Sequence, residues 1–311
     1  MEKSVEDVVI VGAGIAGLAT ALGLHRLGIR SLVLESGDSL RTSGFALGIW
    51  TNGWKALDAL GVGDILRSKH KRVTGIITTS VISGLTTSQV PFTAIHSCCR
   101  SRGDLEFRFV NRKVLLETLE TELPKGTIRF SSKVVRIETD HHHHFNSIHL
   151  ADGTVLQSKV LIGCDGVNSV VARFLGFSKP SFAGRSTVRG LVYFENGHGF
   201  EPKLTQFVGK GMRYGVIPCD DHTMYWFFTF SHSPQEREAE EDPIKLKQFI
   251  LSKLGKVSDN IRAVFEKTQV QNMQCDGVVM NFVRDKIVAK FMAGTLLKKA
   301  GFDCGKLTFS S

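Results

Sequence analysis

Residues 12–17 read Gly-Ala-Gly-Ile-Ala-Gly, a G-x-G-x-x-G set between a β-branched run, Val8 to Val11, and an apolar helical pattern that continues to Leu27 and closes at Gly28. In that context each glycine has a task. Gly12 permits the tight turn, Gly14 lets a pyrophosphate approach the backbone, and Gly17 lets the helix pack closely on the strand. The helix start adds unpaired N–H groups and the positive end of the helix dipole. A second apolar run, Ser31 to Leu34, ends at Glu35, where a carboxylate can accept hydrogen bonds from both hydroxyls of a ribose. Strand, glycine turn, helix, strand and acid together predict a dinucleotide site, and they fit NAD and FAD equally.

Two further stretches put charge at the end of an element. Asp165-Gly166 follows the apolar run Lys159 to Cys164, giving a carboxylate at the end of a buried strand and then a residue that lets the chain turn sharply. The plain alternative is an aspartate that caps the following helix, which runs to Leu175. Arg112 opens the helical stretch Arg112 to Leu123, where a cation opposes the helix dipole unless something anionic sits nearby; that favours a phosphate or ribose ligand over a surface arginine. Farther along, Arg189 begins one candidate strand, Arg213 and Gly215 share a face of another, and Tyr225 and Phe227 share a face of the next. An arginine among aromatics suits an acidic or phenolic ring compound, and a solvated surface arginine is the commoner alternative.

The elements that must position these residues read as α/β. The opening β-α-β has two wholly apolar strands, the mark of a parallel sheet covered on both faces. Ser36 to Thr51 reads as a loop, followed by an amphipathic helix near Gly53 to Leu60. Short Ser/Thr-rich strands occupy Ile76 to Val110; after the Arg112 helix come strands at Thr127 to Phe130 and Lys133 to Thr139, and a hairpin turning at Asp152-Gly153. Thr187 to Phe194, Leu204 to Val208, Tyr214 to Pro218 and Thr223 to Phe230 predict an antiparallel meander rich in aromatics, and Pro243 opens a helix near Ile244 to Leu254.

Composition narrows the class. The chain has 31 glycines but only 7 prolines, which suggests close backbone approaches rather than flexible linkers. Its formal net charge of +9 is spread out, with no basic run interleaved with aromatics, so nucleic acid is not an expected partner. Six cysteines without a C-x-x-C give neither a disulfide framework nor a structural zinc site, which points to a reducing, cytoplasmic setting. The uncharged stretch 8–24 is preceded by Glu2, Glu6 and Asp7, the wrong sign for a signal peptide, and glycines interrupt it, so no integral membrane segment is expected. Gly37-Asp38-Ser39-Leu40 spells a hydrolase signature without its partners; His141 to His144 reads as a solvated loop, Cys98-Cys99 as an ordinary thiol pair, and no metal site is expected.

Taken with Gly12 to Gly17 and Glu35, the segments Arg108-Phe109-Val110-Asn111-Arg112-Lys113-Val114-Leu115 and Gly163-Cys164-Asp165-Gly166 through Arg173 resemble the FAD-dependent aromatic hydroxylase family, which includes salicylate hydroxylase, para-hydroxybenzoate hydroxylase and zeaxanthin epoxidase. Leu32 to Ser36 and Trp50 to Leu57 are similar to its plant monooxygenases, and the resemblance covers about residues 5 to 270. It implies a Rossmann-like FAD-binding domain with a parallel sheet (1–75 and 106–180), a mostly antiparallel β substrate domain (76–105 and 181–270) and a divergent basic tail (271–311). It also implies FAD held by Gly12, Gly14, Ala16, Gly17, Glu35, Arg41, Ser43, Arg112, Val134 and Asp165, with NAD(P)H as reductant. With O₂ as co-substrate, a small aromatic or unsaturated compound would be hydroxylated or epoxidised, its wall including Arg189, Arg213 and Tyr225. The family's late Gly-Asp motif, followed by Ala and His, has no counterpart; Gly-Asp occurs at 37–38, 63–64 and 103–104. That departure keeps open a truncated, inactive form that binds flavin weakly, and the first motif, which fits NAD as well as FAD, keeps open an NAD-dependent dehydrogenase.

Overall fold

The computed structural model describes residues 5–42, 46–92, 105–140, 145–181, 184–231 and 242–277. Strand β1 (Val5–Val11), helix α1 (Ile15–Arg26) and strand β2 (Leu32–Leu34) form the opening parallel unit. β1 starts earlier than its apolar run, because Asp7 can sit on the sheet while accepting a hydrogen bond from Lys159 of a neighbouring strand. Next come β3 (Ala46–Trp50), α2 (Thr51–Ala59), α3 (Gly63–Lys69), β4 (Gly75–Ser80), β5 (Thr86–Pro91), β6 (Phe107–Asn111) and α4 (Arg112–Thr121). The chain continues with β7 (Ile128–Arg129), β8 (Val134–Asp140), β9 (Phe145–Leu150), β10 (Val155–Gly163) and α5 (Val170–Phe174). It then runs through β11 (Arg185–Tyr193), β12 (Lys203–Gly209), β13 (Met212–Pro218), β14 (Thr223–Ser231), α6 (Pro243–Lys253), α7 (Asp259–Lys267) and β15 (Met273–Gly277).

The fold is α/β and has two main sheets. The first has strand order β7-β2-β1-β10-β9-β8, with β7, β2, β1 and β10 parallel and β9 and β8 added antiparallel at one side. Val8, Ile10 and Val33 face α1 and α4 through Leu18, Leu22, Leu115 and Leu119, while Val9, Val11 and Leu34 face the opposite way into a smaller cluster with Ile148 and Val171. Both faces of the central strands are therefore covered, as a parallel sheet requires.

The second sheet has order β15-β11-β14-β13-β12-β4-β5. It is not a simple meander: β11 pairs with β14, and β12 pairs in parallel with β4. One face, carrying Tyr214, Val216, Trp226 and Phe228, is sealed by α6 and α7 through Ile250, Val264 and Phe265. The Trp226 indole donates to Thr268 Oγ1 at 2.8 Å, so its buried polar atom is satisfied. The other face carries Leu204, Ile217 and Tyr225, which pack with Phe107 and Phe109 of a two-stranded ribbon formed by β3 and β6.

Three sequence expectations change. The stretch read as a loop contains β3, whose partner β6 lies far along the chain. α3 and α7 were not anticipated, and β15 places residues 273–277 of the segment read as a divergent tail on the edge of the second sheet beside β11. Among the described residues no helix is long and apolar enough to cross a membrane.

Candidate functional site

A cleft of about 410 Å³ opens where β1, β2 and β10 end. Gly12, Gly14, Glu35, Arg41, Arg112, Val134 and Asp165 line it together, although they come from five separate stretches of sequence. This is the carboxyl edge of the parallel strands, where ligands of such sheets bind. A larger cleft of about 530 Å³ at the opposite edge, lined by Asp7, His25, Arg30 and Lys125 among others, mixes both charges and lies away from the Gly12–Gly17 turn.

The glycines of the turn divide their work differently from one another. Gly12 has φ +100°, and a Cβ built there would stand 2.5 Å from the Cys164 carbonyl oxygen, so the fold itself excludes any other residue. A Cβ on Gly17 would stand 1.9 Å from the Gly12 carbonyl oxygen; this glycine seats α1 against the turn and lies behind the cleft. Gly14, at the N-cap of α1, has ordinary extended backbone, and a Cβ there would meet nothing within 4 Å. Nothing among the described residues needs glycine at position 14, and its absent side chain leaves room in the cleft. Ala16 is exposed on the first turn of α1, outside the cleft lining, and Ser43 lies outside the described residues.

Glu35 Oε2 accepts from the Ala13 N–H at 2.8 Å and Oε1 from the Gly37 N–H at 2.9 Å. The carboxylate is thus locked between the glycine turn and the chain after β2; Oε1 also accepts from Ser36 Oγ at 3.2 Å, which leaves a lone pair on Oε2 for a further donor. Arg112 occupies the first position of α4, held by Asn111, whose side chain accepts from the Lys113 N–H at 2.9 Å. The Arg112 guanidinium donates to the Arg41 carbonyl. Burial first, and then the Arg41 guanidinium, lower its pKa, as two cations sharing one cleft should. An anion between them would relieve that repulsion.

Asp165 serves the chain as well as the cleft. Its Oδ1 accepts from Ser169 Oγ at 2.6 Å and its Oδ2 from the Val170 N–H at 2.6 Å, so it organises the Gly166–Asn168 turn and the start of α5. Gly166, at φ +76°, makes the sharp turn. Sequence reading missed Ser132, Cys164, Val167 and Asn168, which also line the cleft. Ser132 arrives because its N–H and that of Ser131 donate to the Glu35 and Gly37 carbonyls, a contact no local pattern announces.

The residues assigned to a substrate wall lie on the second sheet. Arg189, Phe227, Gly215 and Gln206 are opposed in register across β11, β14, β13 and β12 and so share one face. Arg213, in the next row, donates to Gln206 Oε1 and lies 6.0 Å from the Phe227 ring centroid. Gln206 passes the chain on to Thr78 Oγ1 at 2.6 Å. Gly215 makes space for Phe227, since a Cβ would meet its ring at 2.9 Å. Tyr225 is two register pairs away, opposite Ile217, 5% exposed and stacked on Phe109 at 5.5 Å. Phe227, not Tyr225, is the ring beside Arg213.

The FAD binding domain profile matches residues 6–278. Monooxygenase 2 of Arabidopsis thaliana is 47% identical over 272 residues, which cover 88% of this chain and 64% of that protein. Monooxygenase 1 of the same plant is 34% identical over 290 residues, 93% of this chain and 70% of that protein. The chain thus spans about two thirds of the length of these relatives. Among solved structures, Klebsiella pneumoniae HpxO complexed with FAD and uric acid superposes with a TM-score of 0.74 over 88% of this chain and 68% of that one, at 23% identity, a likeness of fold.

Proposed function

The chain belongs to the FAD binding domain family of the flavin-dependent monooxygenases, and from that premise we propose that the cleft at the carboxyl edge of the first sheet holds FAD and that the protein oxygenates a small aromatic or unsaturated compound, with NAD(P)H and O₂ as co-substrates. The carrying observation is the open space at Gly14, a position where the fold would accept a side chain, facing a cleft that also presents Glu35, Arg41 and Arg112. A polyanion with a ribose fits that donor set. The backbone at Gly12–Gly14 and the start of α1 would hold the pyrophosphate, Arg41 and Arg112 would add cationic charge, and the remaining Oε2 lone pair of Glu35 would take a ribose hydroxyl. Asp165 would act by fixing the turn at Gly166, since both its oxygens are already engaged.

FAD bound there would supply the redox and oxygen chemistry. The protein's own task is orientation and exclusion of water. We assign the first task to residues 1–75 and 106–180 and the substrate wall to residues 76–105 and 181–270, extended by β15. Arg213, oriented by Gln206 and flanked by Phe227, would hold an acidic group on the substrate, with Arg189 adding positive charge on the same face.

Parallel titrations with FAD and NAD test the cofactor: FAD raises the melting temperature of the chain and NAD leaves it unchanged, whereas the reverse result makes it a dehydrogenase. NADPH consumption that depends on an added aromatic acid then tests the activity, and its absence in a flavin-loaded chain would favour the inactive reading.

A further inference from the structure

Outside the cleft lining, His70 closes α3 and is 7% exposed. Its Nδ1 lies 2.8 Å from the Leu66 carbonyl oxygen, which can only accept, so Nδ1 carries a proton. Its Nε2 lies 3.0 Å from the backbone nitrogen of Asn111, an N–H that can only donate, so Nε2 is bare. The two backbone partners fix both the tautomer and the neutral state of the ring. Asn111 is the N-cap of α4, and the next residue is Arg112. Arg108, three residues earlier on β6, donates to the His70 carbonyl, so β6 is attached to His70 at two points just before it delivers Arg112 to the cleft.

We infer that neutral His70 is a positioning residue for cofactor binding: it holds the Asn111 N–H and thereby the first turn of α4, and its protonation releases Arg112 from the cleft. The inference rests on the reading of that cleft as the FAD site. A proton on Nε2 would face the Asn111 N–H, replacing a hydrogen bond with two opposed donors. The charges that act on the ring come from three elements. Asp220, in the turn after β13, favours protonation, while Arg108 on β6 and Lys69 on α3 oppose it. Glu106 is occupied by Arg67 and Arg108, at 3.0 and 2.8 Å; the first turn of α4 after Asn111 carries Arg112 and Lys113, and its acids, Glu117 and Glu120, come later in the helix. Burial, the largest influence, lowers the His70 pKa below its usual value of 6.5. A histidine depressed in this way stabilises the native arrangement fully above pH 6.5, and that contribution is lost as pH falls through the folded value.

The test is FAD affinity of the 311-residue chain, by fluorescence titration at pH 7.5, 6.5 and 5.5, for the wild type, His70→Gln and His70→Leu, with melting temperatures recorded alongside. Glutamine keeps a donor and an acceptor without titrating; leucine keeps bulk and loses both. The wild type should bind FAD more weakly at pH 5.5 than at pH 7.5, by up to severalfold, His70→Gln should bind with little dependence on pH, and His70→Leu should bind about tenfold more weakly at every pH. An unaltered pH dependence in His70→Gln, or wild-type affinity at pH 7.5 in a folded His70→Leu, overturns the inference alone. If His70→Leu fails to fold, the pH profile of His70→Gln decides. A wild-type chain that takes up no FAD at pH 7.5 overturns the reading of the cleft, and the inference with it.

Discussion

The two sheets build their functional surfaces by different means. At the edge of the first, the work falls on backbone: the turn at Gly12, the N–H groups of Ala13 and Gly37 that clamp Glu35, and the turn at Gly166 that Asp165 organises. On the second, it falls on side chains brought together by register, such as Arg213, Gln206 and Thr78 with Phe227 beside them. A backbone site is integral to the fold, so most of its residues cannot change without cost to the whole chain. A side-chain surface on a finished sheet can change while the sheet remains, because the opposite face of β13 and β14 is already packed on α6 and α7. One scaffold can therefore keep one cofactor and vary its substrate.

Gly17→Ala should break the comparison most severely. Its new methyl would meet the Gly12 carbonyl oxygen at 1.9 Å, backbone against backbone, and the expected cost is about 3 kcal/mol or more of stability, read as a fall in denaturation midpoint. Glu35→Ala should have an intermediate effect. It leaves the N–H groups of Ala13 and Gly37 without their acceptor, for about 1–3 kcal/mol of stability by chemical denaturation, and it weakens FAD by a similar amount. An unchanged stability together with weakened FAD binding would make Glu35 a ligand group only. Arg213→Gln should have the smallest effect on the fold. FAD affinity and melting temperature should hold, while calorimetry with a panel of acidic, phenolic and neutral ring ligands should show about tenfold weaker binding of the acidic ones alone. Equal binding by the variant would return Arg213 to the class of sheet-surface arginines.

The same contrast explains what could be read in the sequence. Gly12 to Gly17, Glu35 and Asp165-Gly166 were legible because a tight turn, an N-terminal helix dipole and a sharp exit from a strand are local demands, each written within a few residues. Gly14 was legible only as a member of the motif, since its own backbone makes no demand for glycine. Register was not legible. Period-two alternation correctly puts Tyr225 and Phe227 on one face, yet the choice between them as neighbour of Arg213 depends on the pairing Gly215 with Phe227 and Arg213 with Thr229, set by hydrogen bonds between strands. β3 was hidden for the same reason: Ala46–Trp50 pairs with Phe107–Asn111, and nothing near it in sequence indicates a partner. His70 gave no signal either, because its role depends on two backbone atoms contributed by α3 and β6.

The most direct test of the cofactor cleft is a Gly14→Val substitution, compared with the wild type by melting temperature without ligand and by FAD titration. The space at Gly14 is open and its backbone unstrained, so the ligand-free melting temperature should stay within a degree or so of the wild type's while FAD binding falls at least about a hundredfold, the branched side chain now occupying the path of the pyrophosphate. Wild-type FAD affinity in the folded variant would contradict the account and move the cofactor elsewhere.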